Sequence, residues 1–232
     1  MDKFPFKYDQ SETARYMQFD DMPQPVDAVL ESALRSVEIQ GAEVLDYGCG
    51  LGREAPRLLS LGASKVVGCD PSSEMIAGAQ QKLGEGKRGD AAVVNFDVVE
   101  KLPLPYEDNS FRGVLSRFVF HYVPDTKAML MELHRVTKPD GWLVAVFSDV
   151  QFEPGFEHLA NTDLPLEFPG GASARTLAKP GSEIIENAKA AGFEIVRFED
   201  IPNATAAIIP DSYQYKDKIR LETGLLIARK KV

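Results

Sequence analysis

Short apolar runs alternate with amphipathic stretches of helical length between residues 43 and 147. The runs predict strands near residues 43–47, 65–69, 92–96, 113–116 and 142–147. The amphipathic stretches predict helices over residues 53–61, 72–83 and 126–137. These strands are mostly apolar with little in–out alternation, the pattern of a parallel sheet buried on both faces. Strand and helix in alternation give a doubly wound α/β fold. Punctuation marks the boundaries. Pro56 falls in a first helical turn, and Gly62 stops that helix. Asp70-Pro71-Ser72-Ser73-Glu74 opens the next helix, and Lys138-Pro139-Asp140-Gly141 reads as a turn.

The pattern breaks after Phe147. Residues 148–180 carry Pro154, Pro165, Pro169 and Pro180 among several glycines, which predicts an irregular insertion with no place in the sheet core. It leaves the carboxyl end of a strand, where open α/β sheets bind ligands. Phe152, Phe156, Leu159, Leu164, Leu166 and Phe168 would let it wall an apolar substrate pocket. A helix over 182–191, a stop at Gly192, a strand at 193–198 and a last strand at 221–228 complete the chain.

The length of 232 residues suits one domain with a small elaboration, and 44% hydrophobic with 26% charged residues is ordinary for a globular protein. A net charge of −9 repels phosphate backbones and speaks against a nucleic-acid partner. The basic run Arg229-Lys230-Lys231 reads as a solvated tail. Cys49 and Cys69 are too few for a disulfide framework, so a reducing, cytoplasmic setting is expected. No signal peptide or membrane partner is expected, because no apolar stretch has the required length and flanks.

The candidate chemistry begins at Val44-Leu45-Asp46-Tyr47-Gly48-Cys49-Gly50-Leu51-Gly52. An apolar strand ends near an acid, and three glycines at alternate positions leave the backbone bare before a helix starts. A ligand can lie against such a main chain and face the helix amides. A dinucleotide fingerprint would place its third glycine where Arg53 stands. Asp70 ends the second strand and is suited to accept from ribose hydroxyls, a feature of more than one nucleoside-binding class. Asp97 ends the third strand. It can accept from an adenine amine while the Val98 amide donates to a ring nitrogen.

Residues 97–141 make the pattern specific. They read Asp97, Leu102-Pro103, Glu107-Asp108-Asn109-Ser110-Phe111, Val114-Leu115-Ser116, His121, and a run from Glu132 to Gly141 containing Arg135 and Lys138-Pro139. With the glycine loop, and with Ala191-Gly192-Phe193 further on, this resembles the small-molecule class I S-adenosylmethionine-dependent methyltransferases. The chain departs from the family pattern at Arg112, Asp140, Tyr47 and Leu51.

The resemblance implies a seven-stranded, mainly parallel Rossmann-like sheet with an antiparallel last strand, and S-adenosylmethionine as cofactor. It places Asp46, Gly48, Cys49 and Gly50 at the methionine end. Asp70, Pro71 and Met75 fall beside the adenosine, with Asp97 and Val98 at the base. Backbone atoms of Arg117 and Phe118 would meet the methionine amino group. Residues 1–40 would form a helical lid with Tyr8, Arg15 and Tyr16, and Tyr16 would reach the cofactor carboxylate. His121, just past the fourth strand, is the candidate general base. His134 reads as structural and His158 as a loop residue. No metal is expected, since no adjacent acid or Asn accompanies Asp149 and no Cys/His cluster exists. The function implied is methyl transfer to an O, N or C atom of a small-molecule substrate. A nicotinamide-dependent oxidoreductase and a non-catalytic cofactor-binding protein remain as alternatives.

Overall fold

In the computed structural model residues 22–83, 86–88, 92–168, 173–202 and 207–231 are described, together with residue 13. Helix α1 (Asp27–Arg35) leads into strand β1 (Glu43–Tyr47), helix α2 (Ala55–Ser60), strand β2 (Lys65–Asp70) and helix α3 (Ser73–Leu83). Strands β3 (Gly86–Arg88), β4 (Ala92–Val98) and β5 (Phe111–Arg117) follow, then helix α4 (Thr126–Val136) and strand β6 (Thr137–Phe152). Strands β7 (Asp163–Glu167) and β8 (Ser173–Leu177), helix α5 (Gly181–Ala190) and strands β9 (Phe193–Ile201) and β10 (Ile219–Lys230) complete it.

Eight strands form one sheet in the order β3-β4-β2-β1-β5-β6-β10-β9. Strands β4, β2, β1, β5 and β6 run parallel, while β10 is antiparallel to both neighbours. The seven expected strands are all present. The eighth, β3, pairs antiparallel with β4 and is too short to leave a periodic signal. Apolar side chains cover both faces. Leu30, Leu34, Leu58 and Ile76 pack with Val44, Val66 and Val144, and Met129, Leu133 and Ile184 pack with Leu45, Val114 and Leu143. Neighbouring strand residues such as Val44 and Leu45 thus serve opposite cores, which is why the strand sequences show no alternation.

Strand order reverses beside β1, whose neighbours are β2 and β5. The crevice at this switch point is where such sheets bind ligands.

Strand β6 is far longer than the expected 142–147. The predicted turn at Lys138–Gly141 survives as an excursion within it, because the register with β5 jumps from Phe111↔Thr137 to Gly113↔Trp142. Asp140 takes φ +57°, a left-handed conformation that aspartate tolerates. Arg112, the other departure in this region, pairs with Glu38 at 2.5 Å and donates to the Pro139 carbonyl at 3.3 Å.

The insertion is more regular than its proline content predicts. Strands β7 and β8 form a two-stranded antiparallel sheet. Leu159, Leu164 and Leu166 are buried in a third apolar cluster, with Phe152, Phe156 and Phe168 packed at its border. The cluster also takes Ala207 and Ile209 from the β9–β10 connection and Ile219 from the start of β10, and Glu167 and Ile208 exchange backbone hydrogen bonds of 2.9 and 2.8 Å. These side chains therefore build a lobe with its own core. Among the described residues no helix is long and apolar enough to cross a membrane.

Where β5 and β6 meet, a Cβ at Gly113 would lie 2.1 Å from the Trp142 ring. Both sides of that contact are in the sheet, so neither can move freely. Gly113→Ala should cost about 1–3 kcal/mol and lower the melting temperature by about 2–12 °C in a thermal melt.

Candidate functional site

The glycine loop is pinned to β2. The amides of Gly48 and Cys49 both donate to the Cys69 carbonyl, at 2.8 and 3.0 Å. All three glycines have positive φ, yet they do different work. A Cβ at Gly48 would meet Val119 at 2.2 Å, and one at Gly52 would meet Leu83 at 2.7 Å and Phe96 at 2.8 Å. A Cβ at Gly50 would meet nothing within 4 Å. Gly48 and Gly52 therefore permit close packing, while Gly50 faces open space.

Asp70 ties this loop to the start of α3. Its carboxylate accepts from the Gly50 amide at 3.1 Å and the Ser72 amide at 2.9 Å. Burial pushes its pKa up to about 6 in spite of both bonds. Pro71 lies in the same cleft, and Met75 is buried one turn into α3. The cleft is small, with a cavity volume of about 40 Å³, and it opens to solvent. Tyr47, Val99, Val119, Tyr122 and Val123 wall it, and Gly48, Cys69, Asp70 and Pro71 complete the lining.

Asp97 stands opposite Cys69 in the β2–β4 register and accepts from the Tyr106 hydroxyl at 2.9 Å. Val98 is exposed at the strand end. The Glu-x-x-Arg part of the motif holds the loop that carries Tyr106. Arg135 donates to the carbonyls of Tyr106 and Leu104 at 2.8 and 3.1 Å, and Glu132 accepts from the Leu104 amide at 2.9 Å.

Asp46 is buried, and among the described residues its Oδ2 has no hydrogen-bond partner. Burial, then the nearby Glu54 and Asp70 carboxylates, raise its pKa well above the ordinary range, and Arg117 partly opposes them. A buried carboxylate oxygen without a donor is costly unless a cation or donor reaches it.

The side chain of Arg117 turns into an ion-pair network that sequence reasoning missed. It donates to Glu54 at 2.6 Å and pairs with Asp27 at 3.1 Å. Asp27 also pairs with Arg53 at 2.8 Å and Arg57 at 3.3 Å, and Arg57 contacts Glu54 at 2.8 Å. Burial works to raise the pKa of Asp27, but the Gln24 amide and the three arginines bring it below the ordinary value. Asp27 opens α1 and Glu54 directly precedes α2, with no local feature to mark either charge. Phe118, next along, takes φ +56°, a strained conformation for a bulky residue and one that clusters at functional sites.

His121 is buried beside Tyr122, with ring centroids 4.3 Å apart. Its Nδ1 accepts from the Ser148 amide at 3.4 Å. Burial, and then the charge of Lys179, push its pKa down to about 3. The imidazole is thus neutral with its proton on Nε2, and as placed it presents a donor where the sequence reading expects a proton acceptor.

His134 packs edge-on against Phe193, and His158 contacts the Gly155 carbonyl in the lobe. Tyr8, Arg15 and Tyr16 lie outside the described residues. Cys49 and Cys69 are free, belong to opposite apolar clusters, and have thiol pKa values pushed up by burial. Asp149 does gain acidic neighbours in space, Asp200 and Glu222, although its sequence neighbours supply none. Among the described residues no group of three His, Cys, Asp or Glu is arranged to hold a metal ion.

Residues 45–145 match a family model described as a methyltransferase domain. Demethylmenaquinone methyltransferase of Shouchella clausii is 30% identical over 132 residues, 56% of this chain and 55% of that protein. The chain spans about half the length of the curated relatives it matches. Phosphoethanolamine N-methyltransferase 2 of Haemonchus contortus was solved with S-adenosylhomocysteine and phosphomonomethylethanolamine. It superposes with a TM-score of 0.69 over 97% of this chain and 58% of that one, at 19% identity. The 4+2 cyclase SpnF superposes at 0.65 over 88% and 80%, at 23% identity. At these identities the superpositions show the fold alone. The part of the chain that carries the glycine loop and strands β1, β2, β4 and β5 is thus similar to a methyltransferase domain.

Two consequences are measurable. Asp70 keeps its proton to about pH 6 in the fold, against about 3.9 in an unfolded chain. Its raised folded pKa means that its contribution to stability is present at low pH and lost as pH rises through 6. The melting temperature of Asp70→Asn relative to the parent, without ligand, should therefore be higher at pH 8 than at pH 5. By NMR, the His121 ring should show no titration between pH 5 and 8, while an exposed histidine titrates near 6.5.

Proposed function

We propose that this protein binds S-adenosylmethionine at the crevice beside β1 and transfers its methyl group to a small-molecule acceptor. One observation carries the reading. The buried Asp46 oxygen, without a donor among the described residues, lies by the loop where Gly50 opens to space, so the site suits a ligand bearing a cationic amine. Asp46 and the loop amides would hold the methionine end. Asp70 would accept from the ribose, between Pro71 and the cleft wall, and Asp97 with the Val98 amide would meet the base.

The cofactor supplies a methyl group already activated by its sulfonium. What the chain must do is align an acceptor with that methyl and keep water away. Orientation of this kind lowers a barrier by about 7–11 kcal/mol. Val119, Tyr122 and Val123 offer an apolar and aromatic wall, which favours an uncharged or aromatic acceptor. The relative named for demethylmenaquinone is in keeping with that class. His121 would donate a hydrogen bond from Nε2 and help place the wall, and alignment would do the rest.

A second reading, a protein that binds the cofactor without transferring its methyl group, follows from the fact that one fold hosts several chemistries. Calorimetry separates the readings in two stages. S-adenosylhomocysteine should bind saturably, and Asp46→Asn should weaken S-adenosylmethionine by about 10–100-fold, the value of a charge-assisted hydrogen bond. Absence of binding heat with either ligand sinks the proposal. If binding is intact but no labelled methyl group reaches any component of a metabolite extract, the non-methylating reading takes its place.

A further inference from the structure

The loop at residues 102–110 brings a phenol to the end of β4 that the cofactor reading does not use. Tyr106 is held at three points. Its ring stands edge-on to Phe111, with centroids 5.2 Å apart and planes at 88°. Its carbonyl accepts from Arg135 at 2.8 Å, and its hydroxyl donates to Asp97 Oδ2 at 2.9 Å. The hydroxyl also interacts with the thiol of Cys69, the register partner of Asp97 and part of the cleft lining.

The ring contacts would be met equally by phenylalanine. A partly buried hydroxyl is costly unless it finds a partner, and here the partner is a carboxylate at a strand end. An unpinned carboxylate in that position rotates freely and must be ordered when a ligand arrives. One whose Oδ2 is occupied by a fixed donor already presents its other oxygen in a set direction. Preorganisation of this kind strengthens binding by removing an ordering cost.

We propose that Tyr106 is a positioning residue for nucleobase recognition: its hydroxyl fixes Asp97 so that the remaining carboxylate oxygen accepts from the exocyclic amine of adenine. The inference rests on the cofactor reading above and adds a selectivity. Hypoxanthine carries an oxygen where adenine carries the amine, so it would set an acceptor against an acceptor. A buried polar contact left unpaired in this way discriminates strongly between otherwise identical ligands.

The test is calorimetry with S-adenosylhomocysteine and its deaminated analogue S-inosylhomocysteine. The parent protein should prefer the adenine ligand. Tyr106→Phe should lose about five- to twentyfold in affinity for S-adenosylhomocysteine and less than about twofold for the inosine analogue, the loss of one hydrogen bond acting through a charged group. In an Asp97→Asn background the same change should have little further effect on either ligand. Equal loss with both ligands would mean that Tyr106 only shapes the loop, and the inference falls. Unchanged affinity for S-adenosylhomocysteine also overturns it, as does a full loss that persists with Asn at 97. A parent protein that binds neither ligand overturns the cofactor reading itself.

Discussion

Four carboxylates crowd the end of the central strand, and the arrangement around them follows from the need to offset that charge. Asp46 and Glu54 are buried, and Asp70 and Asp27 lie close by. Arg117, at the end of β5, is placed between Glu54 and Asp27, and Arg53 and Arg57 close the network from the other side. The same contacts fasten α1 to the glycine loop and to the strand across the crevice. Arg117 opposes the charge on Asp46 in part. Among the described residues the Asp46 Oδ2 oxygen is left without a partner.

Polar contacts distant from the crevice set its walls in the same way. Arg135, held by Glu132, grips the carbonyls of the loop that delivers Tyr106 to Asp97. On the other side, the fully buried Lys179 donates to Asn161 at 2.6 Å and to the Pro124 carbonyl at 3.3 Å, with Glu183 3.3 Å away. Thr176 adds a bond of 2.8 Å to the His121 carbonyl. The lobe with its own core is thereby stapled to the segment that supplies Val119, Tyr122 and Val123. The shape of the cleft wall is thus coupled to a part of the chain that has little place in the main sheet.

Several of these features were legible beforehand and several were not, for identifiable reasons. Strand positions were readable because residues buried on both faces must all be apolar, and helix ends because glycine and proline act locally. Strand β6 hid its length because Pro139, Asp140 and Gly141 interrupt the pattern without ending the strand. The insertion looked irregular because part of its core, Ala207, Ile209 and Ile219, comes from beyond α5 and β9. Arg112 had no visible purpose until Glu38, 74 positions earlier, came to lie beside it.

The sequence by itself determined the doubly wound sheet, the glycine loop and the acids that end β1, β2 and β4. Each is a backbone or burial requirement met by residues near one another in the chain. Tertiary structure alone decided how those acids are held: Asp46 with its Oδ2 without a donor among the described residues, Asp70 bonded to two amides, Asp97 pinned by a phenol nine residues on. It also buried His121, whose Nδ1 accepts from the Ser148 amide. Charge state and hydrogen-bond direction depend on burial and on partners distant in sequence, and those exist only once the chain has folded.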